Sequence, residues 1–164
     1  MRQRVLRVTA GGRTPEASFR RGTGADLPVL EALLAAHSLP TAGLGESIES
    51  FGLAAVQGRL VGVAGLELYG DAALLRSVLV VPEWRGRGLA GALVERALET
   101  ARQAGVRETC LLTTTAEQYF PRFGFRPISR ESAPPSLQAS VEFREACPAT
   151  AACLVKSMAD QGRA

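Results

Sequence analysis

The segment Val80-Val81-Pro82-Glu83-Trp84-Arg85-Gly86-Arg87-Gly88-Leu89-Ala90-Gly91 has the residue types of an anion cradle. An apolar run ends at Val81, two arginines alternate with two glycines, and an apolar helical stripe begins at Leu89. The first turn of a helix leaves its N–H groups without intrahelical acceptors, and the helix dipole places positive potential at that end. A phosphate fits there. Gly86 and Gly88 let a bulky anion approach the main chain, while Arg85 and Arg87 can add charge-assisted hydrogen bonds.

Two patterns overlap in this segment. Gly86-Arg87-Gly88-Leu89-Ala90-Gly91 satisfies the dinucleotide fingerprint G-x-G-x-x-G. That fingerprint places its first glycine directly after a strand and an acidic residue at the end of the next one. Here Pro82, Glu83, Trp84 and Arg85 intervene, and Glu108 begins the following strand. The dinucleotide reading is therefore the weaker one. The second pattern is Arg85-x-x-Gly88-x-Ala90.

A strand before the cradle and a helix after it must position these groups. Ala72–Val81 is a β-type run, and Leu89, Ala90, Leu93, Val94, Ala97, Leu98 and Ala101 form one apolar stripe closed by Gly105. Glu108–Thr114 is a short strand, so strand, helix and strand form a crossover unit whose two strands run parallel. Upstream, Gly52–Val56 and Arg59–Tyr69 are separated by Gln57-Gly58, and Gly70-Asp71 gives a second turn, which predicts an antiparallel meander. Ser18–Arg20 reads as a short strand. Asp26 sits at an N-cap with Pro28 in the first turn, before Leu30, Leu33 and Leu34 at helical spacing, and this helix stops near Leu39-Pro40. Thr41–Ser47 is expected as loop, and Ala116–Phe123 as a short helix ending at Gly124. Phe125 opens another strand, and Val141–Met158 shows no decisive periodicity. The fold class is α/β of the α+β type: a mixed, mostly antiparallel sheet with one parallel β–α–β unit and flanking helices.

With Arg85-x-x-Gly88-x-Ala90 after a strand, this order of elements, and Phe120-Pro121-Arg122-Phe123-Gly124-Phe125 at the far end, the chain resembles the GNAT superfamily of acyl-CoA-dependent N-acyltransferases over roughly residues 18–130. The runs Leu74–Val80, Leu111–Ala116, Tyr119-Phe120 and Glu142-Phe143…Cys147-Pro148…Cys153 further resemble N-acetyltransferases associated with arsenic-resistance operons. More distantly, the chain is similar to the acetyltransferase domain of N-acetylglutamate synthases. The resemblance implies acetyl-CoA as co-substrate, no metal, and direct transfer to the amino group of a small amino acid or analogue. It also implies that Arg85, Gly86, Arg87, Gly88, Leu89, Ala90 and Phe120 line the cofactor site. The backbone N–H groups of Val80 and Val78 would then face the thioester oxygen and stabilise its developing charge.

An ammonium acceptor needs a base, and Glu67 is a lone carboxylate in an apolar strand beside the cofactor strand. The competing reading of Glu67 is a solvent-facing strand residue. Many family members carry a tyrosine where this chain has Phe120, and the neighbouring Tyr119 is the substitute acid; packing competes for both rings. Arg76, the one charge within Leu74–Val81, either grips an acceptor carboxylate or pairs with Glu67 across the sheet. Arg130, Ser77 and Thr113 are further substrate-side candidates. Two alternative functions stay open: a catalytically quiet acyl-CoA-binding module, and acetylation of peptide N-termini.

Composition narrows the field from the other direction. The chain of 164 residues holds one domain of ordinary size, and 46% apolar against 21% charged residues exclude a disordered chain. No apolar run is long enough to span a membrane, and the basic start lacks the apolar stretch of a signal peptide, so the expected place is the cytoplasm. The net charge of +3 invites a nucleic-acid partner. Six arginines against Glu16 give residues 1–21 a balance of +5, which leaves residues 22–164 at −2. The basicity belongs to a leader, residues 1–17, expected to be mobile ahead of a single domain at 18–164; the domain itself offers no case for nucleic acid. Cys110, Cys147 and Cys153 match no zinc spacing and read as reduced thiols, and His37 as a packed or exposed residue and not a catalyst. Homodimers are common in the resembled family and are allowed here.

Overall fold

A computed structural model describes residues 16–159, so the expected leader lies almost wholly outside the described residues. Strands β1 (Ser18–Arg21), β2 (Gly52–Val56), β3 (Arg59–Tyr69), β4 (Ala72–Val80), β5 (Glu108–Thr113), β6 (Arg126–Ile128) and β7 (Ala152–Ser157) form one sheet in the order β1-β2-β3-β4-β5-β7-β6. Every neighbouring pair is antiparallel except β4–β5. This is the expected mixed sheet. The meander forms because Gln57 and Gly58 both take positive φ, 50° and 77°, which matches the twist of a tight hairpin, and Gly70 takes 65° at the next turn.

Helix α1 (Leu27–Ala36) starts where expected. Asp26 spends its carboxylate on Arg20 and on the Thr23 N–H, tying β1 to the turn that leads into α1. Thr41–Ser47 departs from expectation: Gly43 turns left-handed at φ 76° and a short helix, α2 (Leu44–Ser47), follows. Its apolar residues explain the difference, because Leu44 and Ile48 are buried with Leu30 and Leu34 of α1 against Leu53, Val63 and Leu79. Helix α3 (Leu89–Gln103) covers the opposite sheet face through Leu89, Leu93, Val94, Ala97, Leu98 and Ala101, the stripe read from the sequence.

The segment Ala116–Phe123 is a further correction, since only Phe120–Phe123 is helical, as a single 3-10 turn led by Pro121 and ended by Gly124 at φ 90°. Between β6 and β7 lie a short helix α4 (Pro135–Gln138) and one π turn, Glu142–Ala146. β7 then inserts between β5 and β6. No helix among the described residues is long and apolar enough to cross a membrane.

Candidate functional site

Two local departures from regular sheet open the site. The β3–β4 ladder slips between Val63 and Gly65, where Ser77 and Val78 of β4 face Ala64 alone, and Ser77 takes φ 57°. That is a bulge, and it re-aims the strand beyond it. On the other side, β4 and β5 pair only from Ala72↔Glu108 to Leu74↔Cys110. Past that point the strands part. The Val81 N–H is donated to the Val61 carbonyl, so alternation turns the N–H of Val80 away from β3 and toward the gap.

A cavity of about 500 Å³ fills this gap. Its walls include Arg76, Ser77, Val78 and Val80 of β4, Ala90 of α3, Thr113 of β5, Tyr119 and Phe120. Eight of the expected site residues are thus brought together. Ser38–Pro40 closes one side, and Glu142, Cys147 and Pro148 close another.

The cradle is built as the glycines required. Arg85 donates Nε–H to the Val80 carbonyl at 2.9 Å, Gly86 and Gly88 have φ 73° and 80°, and Gly88 caps α3. A side chain on either glycine would point into open space, so an approaching anion meets bare backbone. The first intrahelical bond runs from Ala92 to Gly88, which leaves the N–H groups of Leu89, Ala90 and Gly91 without a helical acceptor. Arg87 lies over the Trp84 ring at 4.3 Å. This chain passes from strand to helix through a 3-10 turn (Pro82–Trp84), and its sheet is mostly antiparallel, so the dinucleotide architecture is absent.

Several expectations need correction. Glu67 is buried, which excludes the solvent-facing reading, but it does not line the cavity. Its Oε1 accepts from Arg76 Nη1 at 2.6 Å, and its Oε2 accepts from the Tyr69 hydroxyl. Both oxygens are engaged. Arg76 gives Nη1 also to the Ala42 carbonyl at 2.7 Å, Nη2 to the Pro40 carbonyl at 3.1 Å and Nε to Ser77 Oγ at 3.2 Å. Of five donors, four are thereby used, so the bidentate carboxylate grip is not free and the salt bridge to Glu67 is what forms. Arg130 donates to the Pro148 and Phe143 carbonyls at 2.7 and 2.8 Å instead of facing the cavity. It fastens the segment that carries Glu142 and Cys147.

Thr113 Oγ1 accepts the Ala116 N–H at 3.0 Å and shapes the turn after β5. Tyr119 and Phe120 both reach the cavity, although adjacent helical residues diverge, because Tyr119 precedes the 3-10 turn that begins at Phe120. Their rings meet edge to face at 5.2 Å, and Arg122 lies 4.2 Å over Tyr119.

Glu142 is the residue that sequence reading did not find. Its Oε1 lies 3.9 Å from Arg76 Nε, and Oε2 is buried with no hydrogen-bond partner. Burial pushes its carboxyl up to about 7, against the opposing pull of Arg76. The signal available was a carboxylate between Val141 and Phe143, in a segment without periodicity.

Comparison with known proteins bears on the identity of this site. Residues 47–127 match the family described as acetyltransferase (GNAT) domain. An amino-acid acetyltransferase of Mycobacterium tuberculosis is 31% identical over 121 residues, 66% of this chain and 68% of that protein. An uncharacterized N-acetyltransferase of Chlorobaculum tepidum is 32% identical over 90 residues, and there the match spans 54% of this chain and 57% of the relative's length. In fold, the chain is similar to the N-acetylglutamate synthase of Neisseria gonorrhoeae complexed with coenzyme A and N-acetyl-glutamate, with TM-score 0.74 and 21% identity. That likeness covers 88% of this chain and 35% of the synthase. With the sequence match to the mycobacterial relative and the cradle and parted strands just described, the chain belongs to the GNAT acetyltransferase family.

Proposed function

We propose that this domain transfers the acetyl group of acetyl-CoA directly to the amino group of a small amino acid or an analogue of one. The observation that carries the reading is the cavity where β4 and β5 part, lined by Val78, Val80 and Ala90 and also by the buried carboxylate of Glu142. The residues fit an acyl-CoA. Gly86, Gly88 and the amides of Leu89, Ala90 and Gly91 would hold its phosphates, with Arg85 and Arg87 alongside. Acetyl-CoA supplies an activated acyl thioester.

The chain's own groups do the rest. The N–H of Val80, with Val78 at the bulge, supplies a donor for charge developing on the acyl oxygen. Phe120 and Ala90 give the donor end an apolar wall, and Tyr119 holds a hydroxyl proton beside Phe120, which has none. Arg76 keeps a positive charge at the acceptor end, held in place by Glu67. Ser77 lines that end, and Thr113 shapes the turn behind it. Ser38–Pro40 and Glu142–Pro148 flank the acceptor end, which favours a compact amine over a peptide chain.

The names of the mycobacterial relative and of the complexed synthase support an amino acid as acceptor. A role in resistance to arsenic or other toxic amino-acid analogues rests on the resemblance carried by Leu74–Val80, Leu111–Ala116 and Glu142–Cys153. A thiol-release assay with acetyl-CoA, run across free amino acids, their phosphinate and arsonate analogues, and short peptides, tests the reading. Release with free amino acids and not with peptides is expected. Release confined to peptides would overturn the choice of acceptor, and coenzyme A binding without release on any amine would leave a binding module.

A further inference from the structure

Resting on the acetyltransferase reading, we propose that Glu142, and not Glu67, is the carboxylate that takes the proton from the acceptor's ammonium group. The geometry separates the two acids. Glu67 has both oxygens bound, to Arg76 and to Tyr69, and lies outside the cavity wall. Glu142 lines the cavity, its side chain is 5% exposed, and Oε2 has no partner. A buried carboxylate oxygen without a donor loses its hydration and gains nothing in return. An ammonium or a proton brought into the cavity would supply what is missing.

The charged and titratable groups facing Glu142 favour this role. Arg76 on β4 holds its Oε1 side, Glu67 and Tyr69 on β3 stand behind Arg76, and the Cys147 thiol lies against the carboxylate from its own segment. Burial raises the carboxyl most, Arg76 lowers it, and Glu67 raises it again, leaving it near 7. A base that titrates near the working pH is partly ionised and still basic enough to take a proton.

One N–H proton of the acceptor ammonium passes to Glu142 Oε2, and the freed nitrogen lone pair forms the bond to the acyl carbon. The carbon–sulfur bond breaks with its electron pair on sulfur, and the second N–H proton ends on that sulfur. Glu142 returns its proton to water. Glu67 is then a positioning residue, acting through Arg76.

Three variants decide the matter: Glu142→Gln, Glu142→Asp and Glu67→Gln. The expected profile of kcat/KM for the acceptor in the wild type rises with pH through a limb near 7. In Glu142→Gln that limb disappears and kcat falls about 100-fold or more, while Glu142→Asp recovers part of the loss. Glu67→Gln keeps the limb. Calorimetric affinity for coenzyme A stays within about 3-fold in all three, which shows that the fold is kept. Infrared difference spectra of the wild type, recorded without turnover, should show a protonated carboxyl band appearing as pH falls through about 7 and missing from Glu142→Gln. A limb that survives in Glu142→Gln, or a band unchanged by that substitution, overturns the assignment. A wild type that acetylates no amine would instead contradict the proposed function, and the infrared titration would still decide whether Glu142 takes up the proton.

Discussion

Glu142 and Glu67 share one guanidinium, yet their surroundings give them opposite chemistry. Glu67 receives hydrogen bonds from Arg76 and Tyr69 on its two oxygens, whereas Glu142 has Arg76 at 3.9 Å from Oε1 and the Cys147 thiol against it. The consequence for stability has a definite sign. The folded carboxyl of Glu142 sits near 7, above its ordinary value of 4.5, so between those values the native state binds more protons than the unfolded chain. Stability therefore falls as pH rises through that window. Glu142→Gln should match the wild type at the acid end and exceed it above the window by on the order of 1–3 kcal/mol, read by urea unfolding at a series of pH values. At this scale the sequence was half legible. A lone acid in an apolar strand made Glu67 a candidate but left the buried and solvent-facing readings open, and alternation does not separate them, since Leu66 and Glu67 are both buried while Leu68 is 43% exposed. The sequence could not give the donors to Glu67, which are the Tyr69 hydroxyl and Arg76, the latter itself held by the distant Pro40 and Ala42 carbonyls. Glu142 was hidden because a π turn has no helical or strand period to announce which side faces inward.

The cradle and the parted strands are properties of elements. Gly88 stands at φ 80° as the cap of α3, where any other residue adopts a disfavoured backbone and would present a Cβ to the space an anion must enter. Gly88→Ala is expected to cost about 1 kcal/mol of stability and to weaken coenzyme A binding about 10-fold or more in calorimetry, with little change in acceptor KM. The cradle, the meander and α3 were all legible, since each follows from short-range spacing and turn chemistry. The bulge was not. Ser77 reads as an ordinary strand residue, and its positive φ arises only when β4 must pair with β3 and also leave β5. Nor could the sequence place β7 between β5 and β6, an arrangement that depends on burying Cys153 and Val155 with Leu137 and Phe143.

Across the whole molecule, Arg76 is where distant parts of the chain meet. It joins β4 to Glu67 on β3, to the Pro40 and Ala42 carbonyls between α1 and α2, and to Glu142 near the C-terminal strand. Removing it would leave two buried carboxylates without a cation. Arg76→Met should cost roughly 3–5 kcal/mol in urea unfolding at neutral pH, and less in acid, where the carboxylates protonate. The same convergence closes the part of the cavity that Ser38–Pro40, Arg76 and Glu142 line. The proposed function requires an acetyl group to cross this cavity onto a small amine. Incubation of the chain with acetyl-CoA and a free amino acid, followed by mass spectrometry of all components, measures this directly. One acetyl group on the α-amino nitrogen for each thiol of coenzyme A released, with the protein mass unchanged, is the predicted result; thiol release with no acetylated amine, or an acetyl group retained on the protein, would contradict it.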